Sequence, residues 1–246
     1  MPCFLAIRLM LIDELTVSLS IMELQNMKLK TVILCLAAIF GQICSGIDAK
    51  GAGSPLTADE IITKVENRYS VPGFTARFIQ ESTLKAMDIT DVAAGKIFVK
   101  RPGMMRWEYE RPEKQFVITD GENLWIYRPD INQVMTGKAP EFFGTGKGAS
   151  FLSDIRIIRR NFSVSLKKNK EDYFVLRLMP KEKRADLSEI FLSISKRSFE
   201  ISRIGIYNSY GDGTVIDLLD SKFVNNPDSI FAFKIPEGSE IIKIGE

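Results

Sequence analysis

The sequence predicts a mainly β protein: a strongly curved antiparallel sheet with one N-terminal helix and a helical lid. Three observations predict it. From Phe74 to Phe223 apolar residues recur with a period of two, the alternation of half-buried strands. One stretch, opened by Thr57-Ala-Asp-Glu60, combines a capping box with helical spacing. About ten strands in one sheet curl or close rather than stay flat. A curved sheet with a cover makes a pocket.

The chain has 246 residues, 45% of them apolar and 26% charged, which is a globular mixture long enough for a sizeable core. Basic and acidic residues number 33 and 31, so no strong field directs the protein toward nucleic acid. Histidine is absent, and Cys3, Cys35 and Cys44 all lie at the N-terminal end. Everything downstream therefore lacks the commonest general base, the commonest metal ligand and any thiol. Serine–histidine triads, cysteine proteases and zinc sites built from His or Cys are excluded, and no metal or cofactor is expected.

Residues 27–49 read as a secretory signal peptide. Lys28 and Lys30 precede the apolar run Thr31–Phe40, and small or polar residues follow from Gly41 to Ala49. A membrane span needs about 20 predominantly apolar residues, whereas Gln42, Ser45 and Asp48 interrupt and close this run. Cleavage after Gly46 and after Ala49 both fit. Residues 1–26 carry Asp13, Glu14 and Glu23 ahead of the signal, so translation is expected to start at Met27, with 1–26 an over-extended start outside the fold. A lipoprotein signal wants a small residue before its cysteine; Ile43 is bulky, so Cys44 is read as unmodified. Residues 50–246 are then a single exported domain, expected to be a monomer.

Within that domain, Lys50–Pro55 is a leader and Ala58–Tyr69 an amphipathic helix with Ile61, Ile62, Val65 and Tyr69 on one side, ended by Pro72-Gly73. Strands follow around Phe74–Ile79, Lys96–Lys100 and Met104–Tyr109. Gln115–Thr119 and Leu124–Tyr127 flank Asp120-Gly121 as a hairpin. Further strands are predicted at Phe162–Leu166, Tyr173–Met179, Ile190–Ser195, Ile201–Asn208 and Thr214–Phe223, with turn signals between them. The segment Thr136–Asp154 is rich in glycine and in exposed-looking apolar residues, and Ser150–Arg159 suits a short helix. It is a covering element or a wide loop. Apolar residues on both faces of the strands suggest that something covers the inner face.

Three motifs invite chemistry and fail on context. Gly144-Thr-Gly-Lys147 lacks the glycine at Glu141 and the hydroxyl at Gly148 that a phosphate loop requires. Ser193-Ile-Ser-Lys196 matches a Ser-x-x-Lys pattern but sits in strand alternation with no Lys-Thr-Gly after it. Glu108, Glu110 and Glu113 read as the solvent face and turn of one strand rather than a catalytic pair.

What remains is Lys100-Arg-Pro-Gly103 with its Arg106-Trp-Glu-Tyr109 strand, preceded by Phe74-Thr-Ala-Arg-Phe-Ile-Gln80. Asp120-Gly-x-x-Leu-Trp-x-Tyr-x-Pro129, Gln133-Val134 and Phe231-x-Phe-x-x-Pro-x-Gly238 follow in order. Behind a signal peptide, this series resembles the periplasmic outer-membrane lipoprotein carrier proteins (LolA-type) over about residues 57–239. The resemblance implies an unclosed β-barrel capped by a helical lid and enclosing a hydrophobic cavity. It implies a periplasmic protein of a Gram-negative bacterium that takes acylated lipoproteins from an inner-membrane ATP-driven exporter, shields their acyl chains, and passes them to an outer-membrane receptor. In the family an arginine of the Lys-Arg-Pro motif bonds to the lid and holds the empty cavity closed; the matching residue is Arg101. By parity Ile97 and Val99 share the face of Arg101, and the resemblance places Met105 and Trp107 inward as acyl-chain residues. Met105 stands where the family usually has an aromatic, which leaves the wall apolar and bears on the contact with the exporter.

Two other classes compete. One is a related lipid-binding or lipoprotein-sensing module with different cargo; the other is a carboxylate-dependent hydrolase. An aliphatic and aromatic cavity favours carriage, and convergent Asp or Glu favours catalysis. The N-terminal reading makes a direct prediction: intact-mass and peptide mass spectrometry of the exported protein should place its first residue near Ile47 or Lys50 and find no peptide from residues 1–26.

Overall fold

Thr57 begins the first helix as its sequence dictates. Its hydroxyl accepts from the Glu60 amide at 3.2 Å, and its own amide donates to the Glu60 carboxylate at 2.8 Å. The computed structural model describes residues 55–140, 149–183 and 185–244. The expectations for residues 1–26, the signal peptide 27–49, the leader up to residue 54 and Gly144-Thr-Gly-Lys147 lie outside them. Helix α1 (Ala58–Arg68) buries Ile61, Ile62 and Val65 and ends at Tyr69, whose buried hydroxyl accepts from the Ile201 amide at 3.1 Å. Among the described residues no helix is long and apolar enough to cross a membrane.

Twelve strands among the described residues form one sheet. The first six are β1 (Gly73–Leu84), β2 (Ile89–Lys100), β3 (Met104–Arg111), β4 (Gln115–Asp120), β5 (Asn123–Arg128) and β6 (Gln133–Lys138). After helix α2 (Ile157–Asn161) come β7 (Phe162–Asn169), β8 (Tyr173–Pro180), β9 (Glu189–Ser195), β10 (Ile201–Tyr207), β11 (Gly213–Lys222) and β12 (Glu240–Lys243). Their order is β12-β6-β5-β4-β3-β2-β1-β11-β10-β9-β8-β7. Every pair is antiparallel except β12 with β6. The two end strands, β12 and β7, do not pair with each other, so the curved sheet stays unclosed.

Register explains the core. Phe74 faces Val99, which faces Met105; Ala76 faces Ile97, which faces Trp107. These six side chains are buried on the inner face together with Ile61, Ile62 and Val65 of α1 and Leu192, Ile194 and Ile204 from β9 and β10. The β4–β5 hairpin turns through Gly121 at φ +101°, and the Asp120 carboxylate caps the turn by accepting from the Glu122 and Asn123 amides at 2.9 and 2.7 Å.

The structure departs from the sequence reading in several places. The short helix expected over Ser150–Arg159 is instead a 3-10 turn, Ser150–Leu152, followed by the separate helix α2. β6 claims Thr136–Lys138 from the expected covering segment, and β12 has no counterpart among the expected strands. β1 and β2 run on to Leu84 and start at Ile89, beyond the alternating stretch, because this outer hairpin is exposed and has no core face to impose a pattern. The apolar residues on the outer face of β3–β6 have a cover of their own. Phe233 packs on Trp125 and Tyr127 at 5.9 and 5.6 Å between ring centroids, and the Arg106 guanidinium donates to the Ile230 carbonyl at 3.3 Å. The chain after β11 therefore lines the convex side, so two-faced hydrophobicity reflects two covers.

Phe74 joins α1, β1 and the end of β11. Its ring lies 5.7 Å from both Tyr69 and Phe223 and is 1% exposed. Phe74→Ala should lower unfolding free energy by about 3–5 kcal/mol, read as a drop in the urea midpoint at unchanged slope. A change under about 1 kcal/mol would show that the site collapses without cost.

Candidate functional site

A cavity of about 440 Å³ opens on the inner face of the sheet, a size within the usual small-molecule range. Met105, Trp107, Val117 and Ile126 form one wall, Ile206 and Ile216 the other. Ala149 and Ser150 lie across it. The remaining lining residues, Gln80, Tyr109, Gln115 and Thr214, are polar but uncharged. Trp107, Val117 and Ile126 are successive cross-strand partners, which is why three strands present one apolar row. Phe78 supports the wall from below, its ring edge-on to Trp107 at 4.8 Å and to Tyr109 at 5.0 Å. Gly95, the cross-strand partner of Phe78, lets β3 approach: a Cβ there would lie 1.9 Å from the Glu108 carbonyl oxygen. Burial pushes the Tyr109 phenol up to about 12, so it is a neutral donor at any physiological pH.

Arg101 stands where the loop after α1, the end of β2 and the covering segment meet. Its Nη1 donates to the Val71 carbonyl at 2.8 Å and its Nη2 to the Leu152 carbonyl at 3.0 Å. Leu152 belongs to a 3-10 turn, Ser150–Leu152, whose side chains are buried. The guanidinium also lies 5.4 and 5.8 Å from the Tyr69 and Phe74 rings. Its Nε is buried without a partner, and burial lowers its affinity for the proton. Each hydrogen bond to a charged group contributes about 1.5–3 kcal/mol, against about 1–3 kcal/mol for a buried donor left unpaired. The two bonds and the unpaired Nε thus act in opposite directions on the same contact.

Beyond that turn, α2 is clamped to α1. The Arg159 Nε donates to both carboxylate oxygens of Glu66 at 2.9 Å, its Nη2 donates to the Thr63 hydroxyl at 2.7 Å, and its Nη1 pairs with Asp59. Phe151, Leu152 and Ile158 are fully buried in the core, so the cover is fastened at both ends of this stretch.

The structure brings Met105 and Trp107 to the cavity wall and Arg101 to the covering turn. Ile97 and Val99 are fully buried in the adjoining core and do not line the cavity. Sequence reasoning did not single out Gln80, Tyr109, Val117, Ile126, Ile206 or Ile216. Parity along β1 and β3 would have reached Gln80 and Tyr109; the others needed the register. Among the described residues, the carboxylates and serines singled out for hydrolysis do not converge. Glu108, Glu110 and Glu113 pair separately with Arg106, Lys96 and Arg128 at 2.6, 2.6 and 3.6 Å, all away from the cavity. Ser193 and Ser195 lie within β9, and the Lys196 ammonium sits over the Phe174 ring at 5.0 Å.

The family model described as outer membrane lipoprotein carrier protein LolA matches residues 69–234. An outer-membrane lipoprotein carrier protein of Pseudomonas putida (strain GB-1) is 31% identical over 152 residues, which is 61% of this chain and 72% of that protein. One of Methylobacillus flagellatus is 26% identical over 176 residues, 70% of this chain and 83% of that protein. Among solved structures, an uncharacterized conserved protein from Thermus thermophilus superposes with a TM-score of 0.51 at 14% identity, covering 76% of this chain and 98% of that one, a likeness of fold.

Asp154 ties the turn to α2. Burial pushes its carboxyl up, but hydrogen bonds from the Arg156 side chain and amide, with the charges of Arg156 and Arg160, hold it below the ordinary carboxylate range. A depressed carboxyl stabilises the fold above its unfolded value, about pH 4, and that contribution is lost as pH falls through the folded value. The stability gap between wild type and Asp154→Asn, measured by urea unfolding, should be full near neutrality and narrow below about pH 4. A gap that stays constant would show that the carboxylate charge is not what fastens the turn.

Proposed function

The chain belongs to the outer membrane lipoprotein carrier protein LolA family, and from that premise we propose how its cavity carries cargo. It is a periplasmic chaperone that shields the acyl chains of lipoproteins in water, receiving them from the inner-membrane exporter and delivering them to the outer-membrane receptor. The observation that carries this reading is an uncharged, largely apolar cavity beneath a turn held by one arginine. An acyl chain of about 16 carbons, at about 0.8 kcal/mol per buried CH₂, represents about 12 kcal/mol of transfer free energy. A soluble carrier must offset most of that and still let go.

Trp107, Met105, Val117 and Ile126 supply the apolar surface, and methionine adapts its shape to a flexible chain. Arg101 supplies the release. Cargo entry displaces the Ser150–Leu152 turn and leaves the guanidinium bond to Leu152 unmade; re-closing recovers it and shifts the population back to the empty form. Ile97 and Val99 act one layer deeper, as the packing that keeps Met105 and Trp107 in place.

The test uses inner-membrane spheroplasts bearing labelled lipoprotein. The protein should release it, with ATP, as soluble one-to-one complexes. Arg101→Leu should accept cargo normally but transfer it to outer-membrane vesicles at least about tenfold more slowly, the loss of one charged hydrogen bond. Transfer from Arg101→Leu as fast as from wild type would remove the latch, and failure of the wild type to release lipoprotein would remove the carrier role.

A further inference from the structure

The cavity is not apolar throughout. From Phe78 toward the tip of the β1–β2 hairpin, the inward positions of β1 change from aromatic to polar: Gln80, then Ser82. Around them the side chains link in a row. The Tyr109 hydroxyl donates to Gln80 Oε1 at 3.1 Å, Gln80 Nε2 donates to the Ser82 hydroxyl at 3.2 Å, and Ser82 shares a hydrogen bond with the Thr214 hydroxyl at 3.3 Å. Gln115 is the cross-strand partner of Tyr109, and its amide lines the cavity with no hydrogen bond to another described residue. The row therefore lies at one end, with Met105 and Trp107 toward the other.

The hydrogens left over define the ligand. One Gln80 N–H, both Gln115 N–H groups and one hydroxyl hydrogen of the Ser82–Thr214 pair are unused. These are neutral donors, and no Asp, Glu, Lys or Arg lines the cavity. A phosphate or a free carboxylate brought here would lose its water without meeting a cation. Uncharged acceptors suit the row, and acyl chains end in such groups where they are esterified.

Resting on the carrier reading, we infer that Gln80 and Gln115, oriented by Tyr109, Ser82 and Thr214, bind the ester carbonyls at the glycerol end of the cargo's acyl chains. The tails then run toward Met105 and Trp107, so the cargo's protein part leaves beside the β1–β2 hairpin. The row sets both the polarity of the bound lipid and its class: an acyl ester rather than an alkyl chain alone.

The test displaces N-phenyl-1-naphthylamine from the protein with two synthetic lipopeptides, a dipalmitoyl diester and its dihexadecyl ether counterpart. The diester should compete about tenfold more strongly than the diether, and Gln80→Leu/Gln115→Leu should bring the two within about twofold while still binding the dye. Equal competition on the wild type overturns the inference and leaves carriage standing, since both lipids then enter. Displacement by neither lipopeptide overturns carriage and the inference with it. A diester preference that survives in the double variant overturns the assignment to these glutamines. Should the double variant fail to fold, Tyr109→Phe, which removes the hydroxyl that orients Gln80, should cut the preference at least threefold, and an unchanged preference again overturns the assignment.

Discussion

The joint between the sheet, the loop after α1 and the covering turn depends on one half-buried charge, Arg101. Partial withdrawal of a guanidinium from water is costly unless acceptors replace the water, and here the backbone supplies two. Arg101 takes the Val71 carbonyl from the loop after α1 and the Leu152 carbonyl from the covering turn. Those two carbonyls belong to segments that the sheet alone would not hold together. Because Nε finds no partner, the same group that joins them also weakens the joint. The buried side chains of Phe151, Leu152 and Ile158 add hydrophobic packing to that one polar joint.

Around that joint, the division of labour follows from geometry. The inner face nearest α1 is filled by Phe74, Ile97, Val99 and the β8–β10 side chains, and behaves as an ordinary core. Farther along β3–β5 the curved sheet has no helix to fill it, and the space becomes the cavity. The convex side of those strands would otherwise expose Trp125 and Tyr127; the segment after β11 covers them with Phe233. A strand with one face in a cavity thus has its rigidity from the other face.

Much of this was legible in the sequence. Alternation in Phe74–Phe78 and Met105–Tyr109 marks strands that have a core face, and the Thr57–Glu60 box marks the start of α1 to the residue. What escaped had no local signature. β12 is Glu240–Lys243, exposed throughout, and exists because β6 offers it an edge. The outer hairpin of β1 and β2 mixes apolar Leu84, Ile89 and Val92 with polar Thr83, Thr90 and Asp91, has no core face, and is held as strand by pairing. Val117 and Ile126 are ordinary apolar strand residues; that they meet Trp107 across the sheet is a property of register, which no single strand contains. Ile97 and Val99 share parity with the cavity wall, but parity names a face and not the depth along it.

An unclosed sheet also leaves two edges. β12 and β7 each carry a row of backbone groups that another chain can pair with, the usual route to edge-to-edge aggregation. The two are blunted differently. β12 is only four residues long, with Glu240 and Lys243 at its ends. β7 is packed against α1 and α2 and carries Lys167 and Lys168 in its exposed half. A barrel closed on itself has no free edge and would need neither device. Charged and shortened margins are what set these two edges apart from the ten paired strands between them.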